Sequence, residues 1–255
     1  LNTTVDGVAE DTLPQIGDAP AVEVVVEPLA DSRPITAFAR DFTNVSGKPE
    51  FAIVLRDTGA ADLDRVTLAA LPFPVSFVID PAQPDAAAHA AIYRAAGQEA
   101  VMLATGIPEG ATAADLEQSF QANAAVLPEA VAVMDIGAAG FQDNRQMAAQ
   151  AVPVIGAGGR GVLTFDMGLN AADQVARREG VPAAVIFRDL DAEGEDTQKI
   201  RRYLDRAAFK AAQEGAVVVV GSTRPETIEA LMEWTVEGRA SSVELAPLTA
   251  VLTVQ

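Results

Sequence analysis

Short, unbroken runs of apolar residues recur along the chain, and segments with helical spacing separate them. The first run, Phe51 to Leu55, contains no polar residue and leads into Arg56-Asp57 and a turn at Thr58-Gly59. Runs of this length without polar alternation are typical of strands that are buried on both faces, as in parallel sheets. The pattern predicts strands at about residues 51–55, 75–79, 99–103, 131–134, 162–165, 184–187 and 217–220, and a last one at 242–245.

Helix start and stop signals lie between these runs. Thr112 to Asp115 has the pattern of a capping box, and Gly97, Gly180 and Gly215 lie where helices are expected to end. A helix is predicted over residues 142–150, and the short apolar run Val152 to Ile155 that follows closes on a glycine-rich turn. The alternation of strands and helices indicates an α/β fold, either a β/α barrel or a doubly wound sheet.

The first 49 residues differ in character from the rest. They hold five prolines, many acidic residues and one β-like run, Val22 to Val26. We predict an extended arm or linker over residues 1–49 and a folded domain over residues 50–255. The run Val22 to Val26 either pairs as an edge strand or belongs to a loosely packed tail.

Composition and charge argue against several classes of function. The 255-residue chain is 49% hydrophobic but only 5% aromatic, which predicts an aliphatic core. Its formal charge of −18 argues against binding to nucleic acid or to anionic membrane surfaces. The chain has no Cys, which excludes disulfides and thiolate metal sites. No apolar run approaches the roughly 20 residues that are needed to span a bilayer, so no transmembrane segment is expected.

Aspartates follow most of the predicted strands. Five runs end in one, immediately or one residue on: Asp57, Asp80, Asp135, Asp166 and Asp189. Aspartate is a common helix cap, so each one alone is compatible with a simple loop. Because the carboxyl ends of parallel strands form the functional face of β/α folds, we expect these side chains and Ser222 to gather at one end. Carboxylates that lie close together repel one another unless a cation compensates them.

Four segments, in this order along the chain, resemble motifs of the divergent polysaccharide deacetylase family. Phe51 to Gly59 is similar to that family's opening strand and its Asp-Asp-x-Gly motif, and Leu71 to Phe77 is similar to its second strand. Ala95 to Met102 resembles the region of its third strand, and Gly221 to Leu231 resembles its carboxy-terminal Gly-His-Pro segment. The resemblance covers about residues 50–250 and implies a distorted β/α barrel related to carbohydrate esterases.

The resemblance also implies a divalent metal held by an Asp and two His, with another Asp as general base. The chain departs from this pattern. Arg56 stands where the motif has its first Asp, whereas Asp57 keeps the second and Asp166 keeps the Asp of the fifth strand. Where the family carries His, the chain has Leu103-Ala-Thr105, Met134-Asp135-Ile136 and Gly221-Ser222-Thr223.

The missing histidines bear directly on the expected cofactor. The single His of the chain, His89, falls in an Ala-rich predicted helix and is expected to be a solvated or half-buried helix residue. We therefore expect no zinc site and no cofactor. A carboxylate-only site for Mg²⁺ or Ca²⁺, built from Asp57, Asp135 and Asp166, stays open because hard cations accept oxygen ligands. Alternatively, Arg56 neutralises one of these carboxylates directly.

These observations favour a polysaccharide deacetylase-like protein of the periplasm or cell envelope that has lost its esterase activity and binds a glycan or a cell-wall protein. One alternative is an active metal-dependent carbohydrate deacetylase or hydrolase with a carboxylate-only site. Another is a structural domain that binds a partner through the acidic arm. Because the chain begins with Leu, we expect a signal or anchor to be missing from it. The candidate site residues are Arg56, Asp57, Asp135, Asp166 and Ser222.

Overall fold

The computed structural model describes residues 31–108, 110–137, 140–236 and 239–252. In these residues eight strands form one sheet, and all of its pairings are parallel. The strands are β1 (Glu50–Arg56), β2 (Ser76–Ile79), β3 (Glu99–Leu103), β4 (Ala130–Met134), β5 (Gly161–Phe165), β6 (Ala183–Asp189), β7 (Ala216–Ser222) and β8 (Glu244–Ala246). Each predicted strand is found within two residues of its expected bounds.

The first seven strands close into a barrel. The order β2-β3-β4-β5-β6-β7-β1 is completed by a pairing between β1 and β2, and β8 pairs with the first half of β1. The register shifts between Ala100 and Val101 and again between Ile186 and Arg188, so the closed sheet is distorted. The expected α/β fold, a distorted β/α barrel, is confirmed, and the doubly wound sheet is excluded.

Helices surround the barrel. They are α1 (Pro34–Ala37), α2 (Arg65–Ala69), α3 (Ala86–Ala95), α4 (Ala113–Val126), α5 (Arg145–Ala157), α6 (Ala171–Glu179), α7 (Thr197–Glu214), α8 (Pro225–Val236), a 3₁₀ helix (Ala240–Ser242) and α9 (Leu248–Val251). The predicted capping box at Thr112 is present, with reciprocal hydrogen bonds between Thr112 and Asp115. Within the described ranges, no helix is long and apolar enough to cross a membrane.

The prediction that the run Val152 to Ile155 lies outside a helix was wrong. The run belongs to α5, whose buried residues are Ala148, Ala151, Val152 and Ile155. That spacing of i, i+3, i+4 and i+7 is helical, and a four-residue apolar run cannot by itself be distinguished from a short strand.

Two apolar cores lie on the two faces of the sheet. Inside the barrel the side chains are mostly small or branched, such as Ala52, Val54 and Val78. Between the strands and the helices lie larger ones, such as Phe51 and Leu55. Successive side chains of a strand point to opposite faces, so a strand with a core on each side is apolar throughout. This explains the unbroken runs in the sequence.

The floor of the barrel is closed around the buried carboxylate of Glu99. Glu99 accepts hydrogen bonds from Ser76 Oγ at 3.0 Å and from the backbone N–H groups of Arg40 at 3.1 Å and Thr249 at 3.2 Å. The Thr249 hydroxyl also donates to it. Glu99 thereby joins β3 to the segment before β1 and to α9, which plugs this end of the barrel with Leu248.

Part of the predicted arm contacts this floor. The backbone N–H of Ile35 donates to Gly159 O at 3.0 Å, and Ile35 and Phe38 pack against the barrel interior. The described residues 31–49 therefore make defined contacts with the barrel. The run Val22 to Val26 lies outside the described residues, so the arm remains a prediction there.

We expect Glu99→Ala to lower the free energy of unfolding by about 3 kcal/mol, because it leaves several buried donors without an acceptor. Urea denaturation of the wild type and the variant measures the difference. The matched control is Glu179→Ala, an exposed glutamate in the last turn of α6, for which we expect a change within about 0.5 kcal/mol. Equal effects of the two substitutions would contradict the role of Glu99.

Candidate functional site

The carboxyl ends of the strands form one end of the barrel, which we call the mouth. Just beyond most strands, the next residue that faces inwards lies at this mouth. Val54 faces the barrel interior, so the alternation along β1 turns Arg56 towards the mouth. The same alternation in the other six barrel strands, with the shift in β6 described below, gives a set of residues that we call the mouth ring: Arg56, Asp80, Thr105, Ile136, Met167, Asp189 and Ser222. The ring is polar at β6, β7, β1, β2 and β3 and apolar at β4 and β5. Ile136 and Met167 are 43% and 46% exposed, so this apolar side is accessible.

A bulge in β6 places Asp189 in the mouth ring. Ile186 pairs with Val218 and Asp189 pairs with Val220, so three steps along β6 match two steps along β7. Without the extra residue, the alternation from Ile186 would turn Arg188 inwards. Arg188 instead lies over the ring of Tyr203 on α7, with 4.0 Å between its Cζ and the ring centroid.

Arg56 pairs with two carboxylates from the end of β6. Its Nη2 lies 2.8 Å from Asp189 Oδ2, 3.0 Å from Asp189 Oδ1 and 3.4 Å from Asp191 Oδ1. The expectation that Arg56 neutralises Asp57, Asp135 or Asp166 was therefore wrong. Those three residues follow the outward-facing alternation of their strands, since Leu55, Val133 and Val162 belong to the outer core.

Asp191 is held by hydroxyl and backbone donors. Its Oδ2 accepts from Ser222 N at 2.8 Å, Ser222 Oγ at 2.6 Å and Thr227 Oγ1 at 2.6 Å. Burial alone would raise the pKa of Asp191, but these hydrogen bonds and Arg56 hold it below its usual value. Burial raises the pKa of the neighbouring Asp189, although Arg56 acts in the opposite direction. Arg56, Asp189, Asp191 and Ser222 thus form one connected network at the mouth.

Asp57 forms a separate buried ion pair behind the mouth. Arg65 Nε donates to Asp57 Oδ2 at 2.7 Å and Arg65 Nη2 donates to Oδ1 at 2.9 Å. Tyr93 Oη donates to Oδ2 at 2.8 Å, and Gly59 N donates to Oδ1 at 2.8 Å. Burial acts to raise the pKa of Asp57, but the Arg65, Gly59 and Tyr93 donors bring it below its ordinary value. All four donors fix the loop between β1 and α2.

Asp135 and Asp166 have different surroundings from Asp57. The buried carboxylate of Asp135 accepts backbone N–H groups of Gly137 at 2.6 Å, Phe141 at 2.7 Å and Gln142 at 3.0 Å. Burial raises its pKa in spite of these donors. A Cβ on Gly140 would lie 2.0 Å from Asp135 Oδ1, so this loop requires glycine there. Asp166 is exposed and lies with Asp189 beside a cavity of about 240 Å³.

The metal implied by the sequence resemblance does not fit these residues. Both oxygens of Asp57 are engaged by four donors, and both oxygens of Asp135 accept backbone amides. A guanidinium, Arg56, occupies the mouth itself. His89 lies on α3, and the described part of the chain contains no group of three or more His, Asp or Glu arranged to hold a metal.

Sequence reasoning missed several members of these networks. Asp191 was detectable in principle, since it lies two residues after Asp189 at the same strand end. Arg65 and Tyr93 lie on helices and belong to no motif. Thr227 lies on α8 within the segment Gly221 to Leu231, but the resemblance of that segment does not reveal its contact with Asp191. Their roles follow from the packing of α2, α3 and α8 against the barrel, which no local pattern encodes.

A cleft of about 810 Å³ adjoins the apolar side of the mouth ring. It runs beside the ends of β3 and β4, and Thr105 and Ile136 belong both to the ring and to the cleft. Ile107, Phe141 and Met147 line it with apolar surface, and Asp143 adds a carboxylate. Hydroxyl, carboxylate and apolar groups therefore lie within one continuous depression.

Comparisons with known proteins agree with this architecture. The sequence model of the divergent polysaccharide deacetylase family matches residues 53–252. The chain belongs to this family. No curated protein matches the chain.

Two solved structures share the fold at low sequence identity. An uncharacterised protein from Agrobacterium tumefaciens is 19% identical, with a TM-score of 0.74, over 88% of this chain and 98% of that one. A lactam utilization protein from Thermus thermophilus is 14% identical, with a TM-score of 0.54, over 77% of this chain and 99% of that one. At these identities the likeness shows the fold alone.

We expect Asp57→Asn to lower the free energy of unfolding at neutral pH by about 3 kcal/mol, because removing one partner of a buried ion pair leaves the other uncompensated. The folded-state pKa of Asp57 lies below the ordinary value of 3.8. Its carboxylate therefore stabilises the fold above pH 3.8, and this contribution is lost as the pH falls through the folded pKa. Urea denaturation at a series of pH values should show the difference from wild type shrinking below pH 3.8.

The control for this pH series is Asp166→Asn, which alters an exposed carboxylate at the same end of the barrel. We expect it to change the free energy of unfolding by no more than about 0.5 kcal/mol. A difference for Asp57→Asn that stays constant from neutral pH to well below 3.8 would contradict a charged, Arg65-paired Asp57.

Proposed function

We propose that this domain is a non-catalytic, glycan-binding member of the divergent polysaccharide deacetylase family that works on the envelope side of the cell. The observation that carries the proposal is the fixed cation at the mouth. Arg56 stands where the family motif has an Asp and makes ion pairs with Asp189 and Asp191. Arg65 does the same for Asp57, the carboxylate that the motif retains.

These pairs support the proposed loss of esterase chemistry. A guanidinium is not deprotonated in proteins, so Arg56 does not act as a general base. A metal ion and a guanidinium serve the same electrostatic purpose beside clustered carboxylates, because each lowers the repulsion between them. With the cation supplied by the chain, the carboxylates are already compensated, and imidazole, which supplies much of the preference for zinc, does not line the mouth.

Glycan binding is supported by the composition of the mouth ring and the cleft beside it. A sugar presents hydroxyl groups at its edges and apolar C–H groups on its faces. The ring offers hydrogen-bonding groups at Arg56, Asp80 and Asp189 and accessible apolar side chains at Ile136 and Met167. The cleft extends this depression along β3 and β4, which favours an oligosaccharide over a single sugar unit.

The envelope location rests on the family assignment, since glycans that carry acetyl groups are components of the bacterial cell wall. A cell-wall protein bound at the same mouth is the other outcome of this proposal. Cell fractionation with an antibody against residues 50–255 tests the location. Recovery of the protein with the cytosol would overturn this part of the proposal.

We expect the wild-type domain to bind neither Zn²⁺ nor Mg²⁺ saturably in isothermal titration and to release no acetate from chitotetraose. Arg56→Asp places a third carboxylate beside Asp189 and Asp191, so we expect it to gain weak binding of Ca²⁺ or Mg²⁺, which prefer oxygen ligands. Arg224→Asp, at an arginine on the rim after β7 that pairs with Glu226, is the control and should gain none. Stoichiometric zinc binding or acetate release by the wild type would overturn the non-catalytic assignment and favour an active carbohydrate deacetylase.

We expect the wild type to bind chitotetraose and Met167→Ala to bind it about fivefold to tenfold more weakly, because an apolar contact worth about 1 kcal/mol is lost. Isothermal titration measures both affinities. Met232→Ala removes a methionine of similar exposure, 37%, from α8 and should bind as the wild type does. Equal weakening by both variants, or no binding by the wild type to acetylated and deacetylated tetramers, would contradict a glycan site at the mouth.

A further inference from the structure

A second cavity lies on the outer wall of the barrel, between α4 and α5. It has a volume of about 440 Å³, within the range of roughly 300–1,000 Å³ typical of ligand sites. Met102 and Val133 from the strands form its base, Phe120 and Ala124 line it from α4, and Val154 lines it from α5. Two charged residues line it: Arg160, where the chain passes from α5 to β5, and Glu117, on α4. The amino end of β5 lies at the barrel floor, opposite the mouth ring.

Arg160 is a buried cation without a carboxylate partner among the described residues. It is 9% exposed, and it donates from Nη1 to Gly158 O and from Nη2 to Pro128 O, each at 3.0 Å. Its Nε has no hydrogen-bond partner. Burial lowers the pKa of this guanidinium. The two carbonyl groups fix its position, but neither carries the full negative charge that would compensate a buried cation.

The other buried arginine described above, Arg65, shows how the same chain compensates such a group. Arg65 is 6% exposed in its side chain and has a bidentate carboxylate partner, Asp57. Arg160 differs from it in two ways: its Nε lacks an acceptor, and it lines a cavity. A ligand that brings a carboxylate to this end of the cavity would supply the missing negative charge.

The walls of the cavity and the net charge of the chain restrict the chemistry of the rest of the ligand. The base and sides of the cavity are aliphatic and aromatic, so the body of the ligand is apolar. A single arginine in a chain of formal charge −18 favours a monoanion over a polyanion. Glu117 lies seven residues before Ala124 on α4, about 10 Å along the helix axis, and it is exposed. Its charge repels a carboxylate, so the acidic head lies at Arg160 and the tail points towards Glu117.

We propose that this cavity binds a small monocarboxylate with an apolar tail, of the medium-chain fatty acid class, whose carboxylate pairs with Arg160. The site is separate from the glycan site at the mouth: it lies on the outer wall of the barrel between α4 and α5, with Arg160 at its floor end. Occupation of the cavity compensates the Arg160 charge and fills the space between α4 and α5. The proposal does not depend on the proposed glycan function.

The test uses the five methionines of the chain as position markers. Titration of octanoate into protein labelled with ¹³C at the methionine methyl groups should shift the Met102 signal saturably, because Met102 lines the cavity. Met147 lines the cleft beside the mouth ring and not this cavity, so its signal should not move. 1-Octanol, which has the same tail without the charge, should bind at least tenfold more weakly.

Two variants test the contributions of charge and space. Arg160→Met should weaken octanoate binding at least tenfold, whereas Arg94→Met, at a floor-end arginine that pairs with Glu129, should bind as the wild type does. If Arg160→Met does not fold, Ala124→Phe keeps the arginine and fills the cavity from α4, and it should abolish the Met102 shift. Equal affinity for octanoate and octanol, a saturable shift confined to Met147 or Met167, or no saturation in the wild type would each overturn the proposal.

Discussion

The compensation of carboxylates at the strand ends is the constraint on which this end of the barrel depends. A parallel barrel brings the carboxyl ends of seven strands together, and this sequence places acidic residues after most of them. Asp57 is compensated by Arg65, and Asp189 and Asp191 share Arg56. Asp135 relies on backbone amides alone. The donors to Asp57 and Asp135 also fix the loops that follow β1 and β4, so charge compensation and loop conformation are coupled there.

The fold was predictable because its signal is carried by long, local patterns. A strand with a core on each face must be apolar throughout, and Phe51 to Leu55 meets that requirement without exception. The position of the strand-end residues at one end of the barrel followed from the parallel arrangement. The exception, Val152 to Ile155, is a four-residue run whose helical character depends on Ala148 and Ala151 before it. Local apolarity does not contain that information.

The site was predictable only in part, because a position at a strand end does not by itself determine whether the side chain faces the mouth or the outside of the barrel. Arg56 and Ser222 face the mouth, whereas Asp57 and Asp135 continue the outward-facing positions of Leu55 and Val133. One bulge in β6 then decides that Asp189 enters the mouth and Arg188 does not. A bulge depends on pairing between strands that are distant in sequence, and Arg65 reaches Asp57 only because α2 packs against the barrel. Neither feature has a signal in the local sequence.

The geometry also indicates that a single substitution at Arg56 would not rebuild the metal site that the family resemblance implies. Asp57 remains on the outward side, with both of its oxygens engaged by Arg65, Tyr93 and Gly59. Where the family motifs have histidine, this chain has Ser222, whose hydroxyl donates to Asp191, and the segments that end in Thr105 and Ile136. A carboxylate at position 56 therefore joins Asp189 and Asp191 rather than Asp57. The resulting oxygen-only group suits hard cations and lacks the imidazole ligands that favour zinc.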